Sequence, residues 1–252
     1  MDIRTILNKK PVEEKNGVLY FRKPPADVEP SRERTASDAR TWSYWRKQNY
    51  AFLEKELAAL PKESVLIDLG AGQSDFAKLT SAFNLCAVDF YPYPGIHVVC
   101  GLEDGLPFKD ASADIVLLTN LLEHVREPNA LLQECHRILK PGGVIIGTVP
   151  FMIQIHQRPY DFYRYTQMNL EYMLHKHAFK NISVIPVNNS YALLFNVSTS
   201  FFTSVIRNAK YTLFYRMLWK IVRITFAVFR RFFEKRSSDS DNPLGYLFKG
   251  YT

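Results

Sequence analysis

Apolar and polar positions along the chain alternate between two periods. Short apolar runs with strand character cover residues 65–69, 85–89, 96–100, 114–119, 143–149 and 181–187. Between them lie segments with helical spacing at 74–82, 128–139 and 167–177, the last with Thr166 as its expected cap. Strands separated by helical runs predict an α/β fold: a doubly wound, mostly parallel sheet with right-handed crossovers. Ahead of this core, apolar and aromatic residues at Trp42, Trp45, Tyr50, Phe52, Leu53, Leu57 and Leu60 predict a helix ending at Pro61. Asp38 is its expected N-cap, because a carboxylate there can accept from a first-turn amide. Residues 1 to 37 are polar and proline-rich and read as an irregular arm. Pro141-Gly142-Gly143 predicts a helix stop just before the apolar strand Val144-Ile145-Ile146.

Beyond residue 190 the pattern changes. Residues 191–206 carry no charge, and 211–233 place Arg216, Lys220, Arg223, Arg230 and Arg231 along one helical stripe. Phe214, Leu218, Ile221, Val228, Phe229 and Phe232 fall on the opposite side. Five basic residues argue against a lipid-spanning helix in the second run, and Asn196 with its hydroxyl-rich neighbours argues against one in the first. The pattern suits a helix lying in a headgroup plane. The aromatic segment from Pro243 to the end reads as the last strand of the sheet, so 190–236 becomes a helical insertion before it. The expected organisation is therefore 1–60, an arm and a helix covering the ligand site; 61–189, the core; 190–236, the amphipathic insertion; and 237–252, a linker and the final strand.

Composition adds limits. A chain of 252 residues with 47% hydrophobic content can bury a sizeable core as one domain, or as one domain with an extension. Its net charge of +7 is concentrated, because residues 207–236 hold nine Lys/Arg and a single acid. That argues against nucleic acid as a partner, which would call for basic residues spread over the core and its cleft. Cys86, Cys100 and Cys135 form no C-x-x-C pair and read as buried small hydrophobes of a reducing compartment. The first residues lack an apolar segment behind a basic head, so no signal peptide is expected. A cytoplasmic location follows, with peripheral attachment to the cytoplasmic face of the membrane through 190–236.

The chemistry concentrates at Val65-Leu66-Ile67-Asp68-Leu69-Gly70-Ala71-Gly72, with Asp89 ending the next apolar run. A glycine turn after one strand and a carboxylate ending the next suit an adenosine-containing cofactor. Asp89 would accept from both ribose hydroxyls. A dinucleotide fingerprint needs glycine at position 75, where this chain has Asp. A carboxylate there would repel a pyrophosphate but tolerates a sulfonium with an amino acid tail.

These residues, with others in order, resemble the class I S-adenosylmethionine-dependent methyltransferases of the small-molecule, type 11-like group. Members of that group often accompany surface-polysaccharide or lipid biosynthesis. The resemblance covers roughly residues 60–187 and the C-terminal tail. Besides the glycine turn and Asp89, it rests on Leu106-Pro107-Phe108, on Leu121-Leu122-Glu123-His124-Val125 with Pro128, and on Arg137-Ile138-Leu139-Lys140-Pro141-Gly142-Gly143. His156, Pro159, Asp161, Arg164 and Thr166 match the H-x-x-P-x-D-x-x-R-x-T loop of one subset. Two positions depart from the pattern: Ser74 replaces the third glycine, and Leu102 replaces the acid that meets the adenine amino group.

The resemblance implies S-adenosylmethionine as cofactor. Asp68, Gly70, Gly72, Asp89 and Asn120 would hold it, with Glu103, Asp104 or a backbone carbonyl serving the adenine in place of Leu102. Leu121 and Leu122 either flank the adenine or belong to the core. Glu123 and His124 are a largely structural family feature, with His124 either stabilising the turn or lying near the substrate. His156 is the expected general base, since an imidazole with a pKa of ~6.5 can take a proton at neutral pH. Asp161 would orient it or pair with Arg164 to hold the loop. Tyr160, Phe162, Tyr163 and Tyr165 form an acceptor rim or pack the loop, and Trp42 and Trp45 lie on the helix that folds over the cofactor. No metal site is expected, because His175 and His177 stand two residues apart on a helix and point to different sides. The implied function is methyl transfer to a hydroxyl of a lipid-linked saccharide or other amphiphile. The alternatives are a quinone or soluble small molecule with 190–236 as a lid, and a catalytically silent scaffold.

Overall fold

In the computed structural model, described for residues 1–24, 42–73, 76–208, 212–236 and 241–252, one sheet runs through the molecule. Its strands are β1 (Glu13–Lys15), β2 (Val18–Tyr20), β3 (Val65–Leu69), β4 (Asn84–Asp89), β5 (Val98–Val99), β6 (Ala113–Thr119), β7 (Leu139–Pro150), β8 (Lys180–Asn188) and β9 (Pro243–Tyr251). The spatial order is β1-β2-β5-β4-β3-β6-β7-β9-β8. Strands β2 to β7 pair in parallel, whereas β9 inserts antiparallel between β7 and β8.

Nine strands among the described residues replace the seven expected, and both additions come from the arm read as irregular. Asn16 and Gly17 hold φ of 54° and 77°, so they form a tight two-residue hairpin turn whose twist matches the flanking strands. Its second strand then docks on β5, with the amides of Leu19 and Phe21 donating to His97 O and Val99 O at 2.9 and 2.8 Å.

Helices cover both faces of the sheet. They are α1 (Tyr44–Ala58), α2 (Ala77–Thr80), α3 (Pro128–Ile138), α4 (Gln167–Lys176), α5 (Ser190–Asn208) and α6 (Thr212–Arg236). Alternate residues of each central strand serve opposite layers. Ile67, Val116, Leu118 and Ile145 pack with Leu131, Leu132 and Leu170 of α3 and α4. Leu66, Ile115, Leu117 and Ile146 pack with Trp45, Phe52, Leu53 and Leu57 of α1. Thr166 caps α4 by accepting from the Asn169 amide, as expected. Helix α1 is capped by Ser43, which accepts from the Arg46 amide, rather than by Asp38. Asp38, Ser74, Asp75, the rest of the arm from 25 and the linker 237–240 lie outside the described residues, as do the side chains of Arg230, Arg231 and Phe232.

The insertion before β9 is a helical hairpin. Phe195 faces Phe226 and Trp219 with ring centroids at 5.3 and 6.1 Å, and Phe202 stacks on Trp219 at 5.0 Å. The packed edge of α6 is thus Tyr215, Trp219, Val222 and Phe226, all half-buried. The apolar side expected opposite the basic stripe is exposed at Phe214, Leu218, Ile221, Val228 and Phe229, as are Leu213, Met217 and Ile224. Helix α5 anchors the hairpin through buried Ala192 and through Ser200 Oγ, which donates to Gln154 Oε1 at 3.1 Å. No helix among the described residues is long and apolar enough to cross a membrane.

Candidate cofactor and acceptor site

The site lies where β3, β4, β6 and β7 end, the carboxyl edge at which an open parallel sheet gathers ligands. Strand β3 leads directly into the glycine turn. Gly70 sits at φ +71°, and a Cβ there would come within 2.6 Å of Leu121 Cδ1. Only glycine meets both demands at once. The amides of Gly70 and Ala71 both donate to Val88 O, at 2.9 and 3.0 Å, and this ties the turn to β4.

Asp89 is buried and already organised. Its Oδ2 accepts from the Gly72 amide at 2.9 Å and its Oδ1 from the Tyr91 amide at 3.0 Å. Burial nevertheless pushes its pKa up to about 6, against the pull of those amides. Asp68, on the neighbouring strand, is also buried, and its Oδ1 has no hydrogen-bond partner. Burial and the nearby Asp89 carboxylate raise it to about 7. Two buried acids with spare acceptor capacity beside a glycine cradle are incomplete without a ligand that brings donors and positive charge.

Asn120 closes the third side. It follows β6 at φ +49°, and its amide donates to Thr148 O at 2.8 Å. Its Oδ1 accepts from Trp45 Nε1 at 3.0 Å and Asn49 Nδ2 at 3.5 Å. The side-chain oxygen is therefore held by α1, which leaves the NH₂ group as the donor. Trp42 packs against Tyr50 in a tilted arrangement, with ring centroids at 5.2 Å. Glu103 and Asp104 have found other partners: Glu103 Oε1 accepts from the Arg126 amide at 2.7 Å, and Asp104 pairs with Arg22 at 2.9 Å on the surface.

The loop between β7 and α4 carries the second half of the site. Arg164 grips Asp161 with both terminal nitrogens, at 2.5 and 3.0 Å, and donates to the carbonyls of Ile153, Gln154 and Tyr163. That guanidinium holds the Asp161 carboxyl down at about 2. Asp161 Oδ2 in turn accepts from the His156 amide at 2.7 Å and lies 3.4 Å from its Nδ1. His156, Asp161 and Arg164 are thus brought together in one chain of contacts. Tyr165 is core, with its hydroxyl donating to Leu122 O at 2.9 Å, while Phe162 and Tyr163 remain exposed. Tyr160 faces Phe90, the residue after Asp89, with centroids at 6.3 Å, so the loop reaches the cofactor strand.

Local spacing left one group unseen. Glu123 is fully buried and both its carboxylate oxygens lack hydrogen-bond partners. His124 Nε2 and His156 Nε2 stand 3.6 and 3.8 Å from its Oε1. No metal-ligand set was expected, yet these three residues offer ligand atoms within 4.8 Å of one another. Burial pushes Glu123 up to about 8 and His124 down to about 4. The signal in the sequence was a Glu-His pair after one strand and a histidine after the next, joined only by the fold.

Residues 51–147 match the family described as "Methyltransferase domain". This segment, which holds strands β3 to β6 and most of β7, is similar to a methyltransferase domain. The residues fit S-adenosylmethionine: Asp68 and Asp89 offer buried acceptors to amino and hydroxyl donors, and the glycine turn leaves the room a Cβ would take. A probable S-adenosylmethionine-dependent methyltransferase of Mycobacterium tuberculosis is 26% identical over 137 residues, half of each chain. A dimethylglycine N-methyltransferase of Parasynechococcus marenigrum is 30% identical over 109 residues, 36% of this chain and 39% of its own. The methyltransferase fold also aligns with a SAM-dependent methyltransferase from Archaeoglobus fulgidus at a TM-score of 0.51 and 14% identity, covering 82% of this chain and 94% of the other. The chain spans about half the length of the curated relatives it matches first.

Proposed function

We propose that this protein transfers a methyl group from S-adenosylmethionine to a small organic acceptor bound between the glycine turn and the 150–165 loop. The observation that carries this reading is the pair of buried, raised carboxylates Asp68 and Asp89 beside the φ-positive glycines, with the His156–Asp161–Arg164 chain on the adjoining strand end. When bound, the cofactor supplies an electrophilic methyl carbon on a sulfonium. The protein's part is then positioning first and proton removal second. Asp68 receives the amino group, Asp89 the ribose hydroxyls, and Asn120 donates its NH₂ group. Glu103 and Asp104 remain the carboxylates nearest in sequence to the adenine position. Asp161 fixes the His156 ring, and His156 faces the acceptor as its base.

A small acceptor is favoured over a lipid-linked saccharide by the relative whose name gives a small amine as substrate. It is also favoured by the way α5 is anchored to the acceptor loop through Ser200 and Gln154, as a wall or lid would be. A second reading rests on α6, whose exposed apolar side lies beside exposed Arg216, Lys220 and Arg223. An amphiphilic acceptor presented at a membrane surface would use that face. The test is incubation with labelled S-adenosylmethionine and a lysate divided into aqueous and lipid extracts. Label in the aqueous fraction supports the first reading, and label in the lipid fraction supports the second. A folded protein that binds no S-adenosylhomocysteine would sink both.

A further inference from the structure

The side chains around Glu123 converge on a buried group that no hydrogen bond satisfies. The His124 Nδ1 atom meets the carbonyl oxygen of Tyr160, which can only accept, so that nitrogen carries the hydrogen. The His156 Nδ1 atom faces two acceptors, Gln154 O at 3.2 Å and Asp161 Oδ2 at 3.4 Å, and must also be the protonated nitrogen of its ring. In both rings Nδ1 is thus engaged as the donor, which leaves Nε2 as the atom able to take a ligand. Both Nε2 atoms lie within 3.8 Å of Oε1 of Glu123, a fully buried side chain whose two oxygens have no hydrogen-bond partner. Three ligand-type atoms converge within 4.8 Å of one another, and no hydrogen bond joins them. A buried group in that condition costs stability unless something positive completes it.

We infer that Glu123, His124 and His156 form a binding site for a divalent transition-metal cation of the zinc class. A tetrahedral cation with bonds of ~2.0–2.1 Å sets its ligands roughly 3.3–3.4 Å apart. The two nitrogens lie 3.6 and 3.8 Å from Glu123 Oε1, a few tenths of an ångström from that spacing, and all three ligand atoms lie within 4.8 Å, so a side-chain adjustment of about an ångström between the two imidazoles completes the set. Two imidazoles and one carboxylate are donors of the right hardness for such a cation, and three protein ligands leave a coordination position open. The surroundings suit it as well. Each ligating histidine gives its other nitrogen to a carbonyl or carboxylate, which fixes the tautomer and the ring orientation. Arg164 then holds Asp161, so the guanidinium supports the site from outside without touching it. The His156 side chain is 36% exposed whereas that of Glu123 is fully enclosed, which puts the open position toward the acceptor loop.

Resting on the methyl-transfer reading, that position is where an acceptor oxygen would be gripped. His156 would then hold the cation instead of taking a proton. The binding claim itself does not need the transfer to occur. It is tested by calorimetric titration of Zn²⁺ into the full chain after chelation and dialysis, with Co²⁺ as a second probe read by its visible spectrum. One equivalent of Zn²⁺ is expected, with affinity about tenfold or more weaker in both Glu123→Gln and His156→Ala, and unchanged in the surface control His175→Ala. His156 is partly exposed, so its variant keeps the test alive if Glu123→Gln fails to fold. No uptake by the wild-type chain, equal affinity in His156→Ala, or loss of uptake in His175→Ala overturns the proposal. S-adenosylhomocysteine binding is measured on the same samples. Its failure would count against the methyltransferase reading and leave the Zn²⁺ result standing.

Discussion

Trp45 Nε1 donates to Asn120 Oδ1 at 3.0 Å, the shorter of two bonds, with that from Asn49 Nδ2 at 3.5 Å, that join helix α1 to the end of β6. Asn120 stands in the left-handed region, so its side chain needs an external partner to stay oriented. Gly245 of β9 makes the arrangement possible, because a Cβ there would come within 2.5 Å of the Trp45 ring. In Trp45→Phe the ring remains but the donor is gone. A neutral hydrogen bond contributes about 1 kcal/mol, which corresponds to roughly fivefold in affinity. The expected result is a Kd for S-adenosylhomocysteine raised by that factor with a nearly unchanged circular dichroism spectrum. An unchanged Kd would show that α1 covers the cofactor without orienting Asn120.

Asp68 and Asp89 make the empty protein sensitive to pH. Their folded pKa values, about 7 and about 6, lie above the ordinary ~3.9 of an unfolded chain. Between these limits the folded state binds more protons than the unfolded one, so unfolding becomes easier as pH rises from 4 to 7. S-adenosylhomocysteine gives the ionised carboxylates donors, so its affinity should rise through the same window. Melting curves at pH 5 and pH 8, with and without this ligand, should show the larger ligand-induced gain at pH 8. In Asp68→Asn the difference between the two pH values should shrink.

Arg164 serves five acceptor atoms at once: both oxygens of Asp161 and the carbonyls of Ile153, Gln154 and Tyr163. A lysine retains the charge but cannot match a forked geometry. Loss of a charge-assisted bond costs about 1.5–3 kcal/mol. Arg164→Lys should therefore lower kcat by at least about tenfold, with KM for the cofactor little changed because the glycine turn is untouched. A matched fall in cofactor affinity would mean that the loop supports the other half of the site as well.

The α6 surface calls for flotation with vesicles of increasing anionic lipid content. Arg216, Lys220 and Arg223 are exposed, and each basic residue near such a surface contributes about 1 kcal/mol. The wild-type chain should float more as anionic lipid increases, and a variant with glutamate at all three positions should stay behind. Equal flotation of both proteins at low salt would assign the exposed apolar side to some other contact.

How far these features were legible depends on whether a single segment carries them. Strands β3, β4 and β6 and the turn holding Gly70 and Gly72 are written in consecutive residues, and the sequence reading places each within a residue or two. The hairpin of β1 and β2 was legible too, in Asn16-Gly17, but a surrounding excess of charge and proline hid it. Ser43 caps α1, and the sequence alone offered more than one oxygen ahead of the helix, so the spacing of apolar residues did not fix which one serves. On α6 a helical wheel separates basic from apolar residues but cannot say which apolar edge finds a partner. The aromatic edge of Trp219 and Phe226 won, since α5 offers rings to it. The Glu123–His156 contact was out of reach, because it exists only once the loop after β7 folds back onto the turn after β6.

The placement of β9 has a consequence for how the protein is made. Strand β8 touches no sheet neighbour except β9, and the whole α5–α6 hairpin is synthesised between the two. A nascent chain that has already released β3, β4 and β6 from the ribosome must therefore carry β8 as an unsatisfied edge. At roughly 5–20 residues per second the wait lasts some seconds. Throughout it, the apolar flanks of α5 and the open side of β7 are available to chaperones or to other nascent chains. Assembly of the sheet is thus a late, concerted event that closes both open edges with one strand, and mutations in β9 should act on yield in the cell before they act on the site.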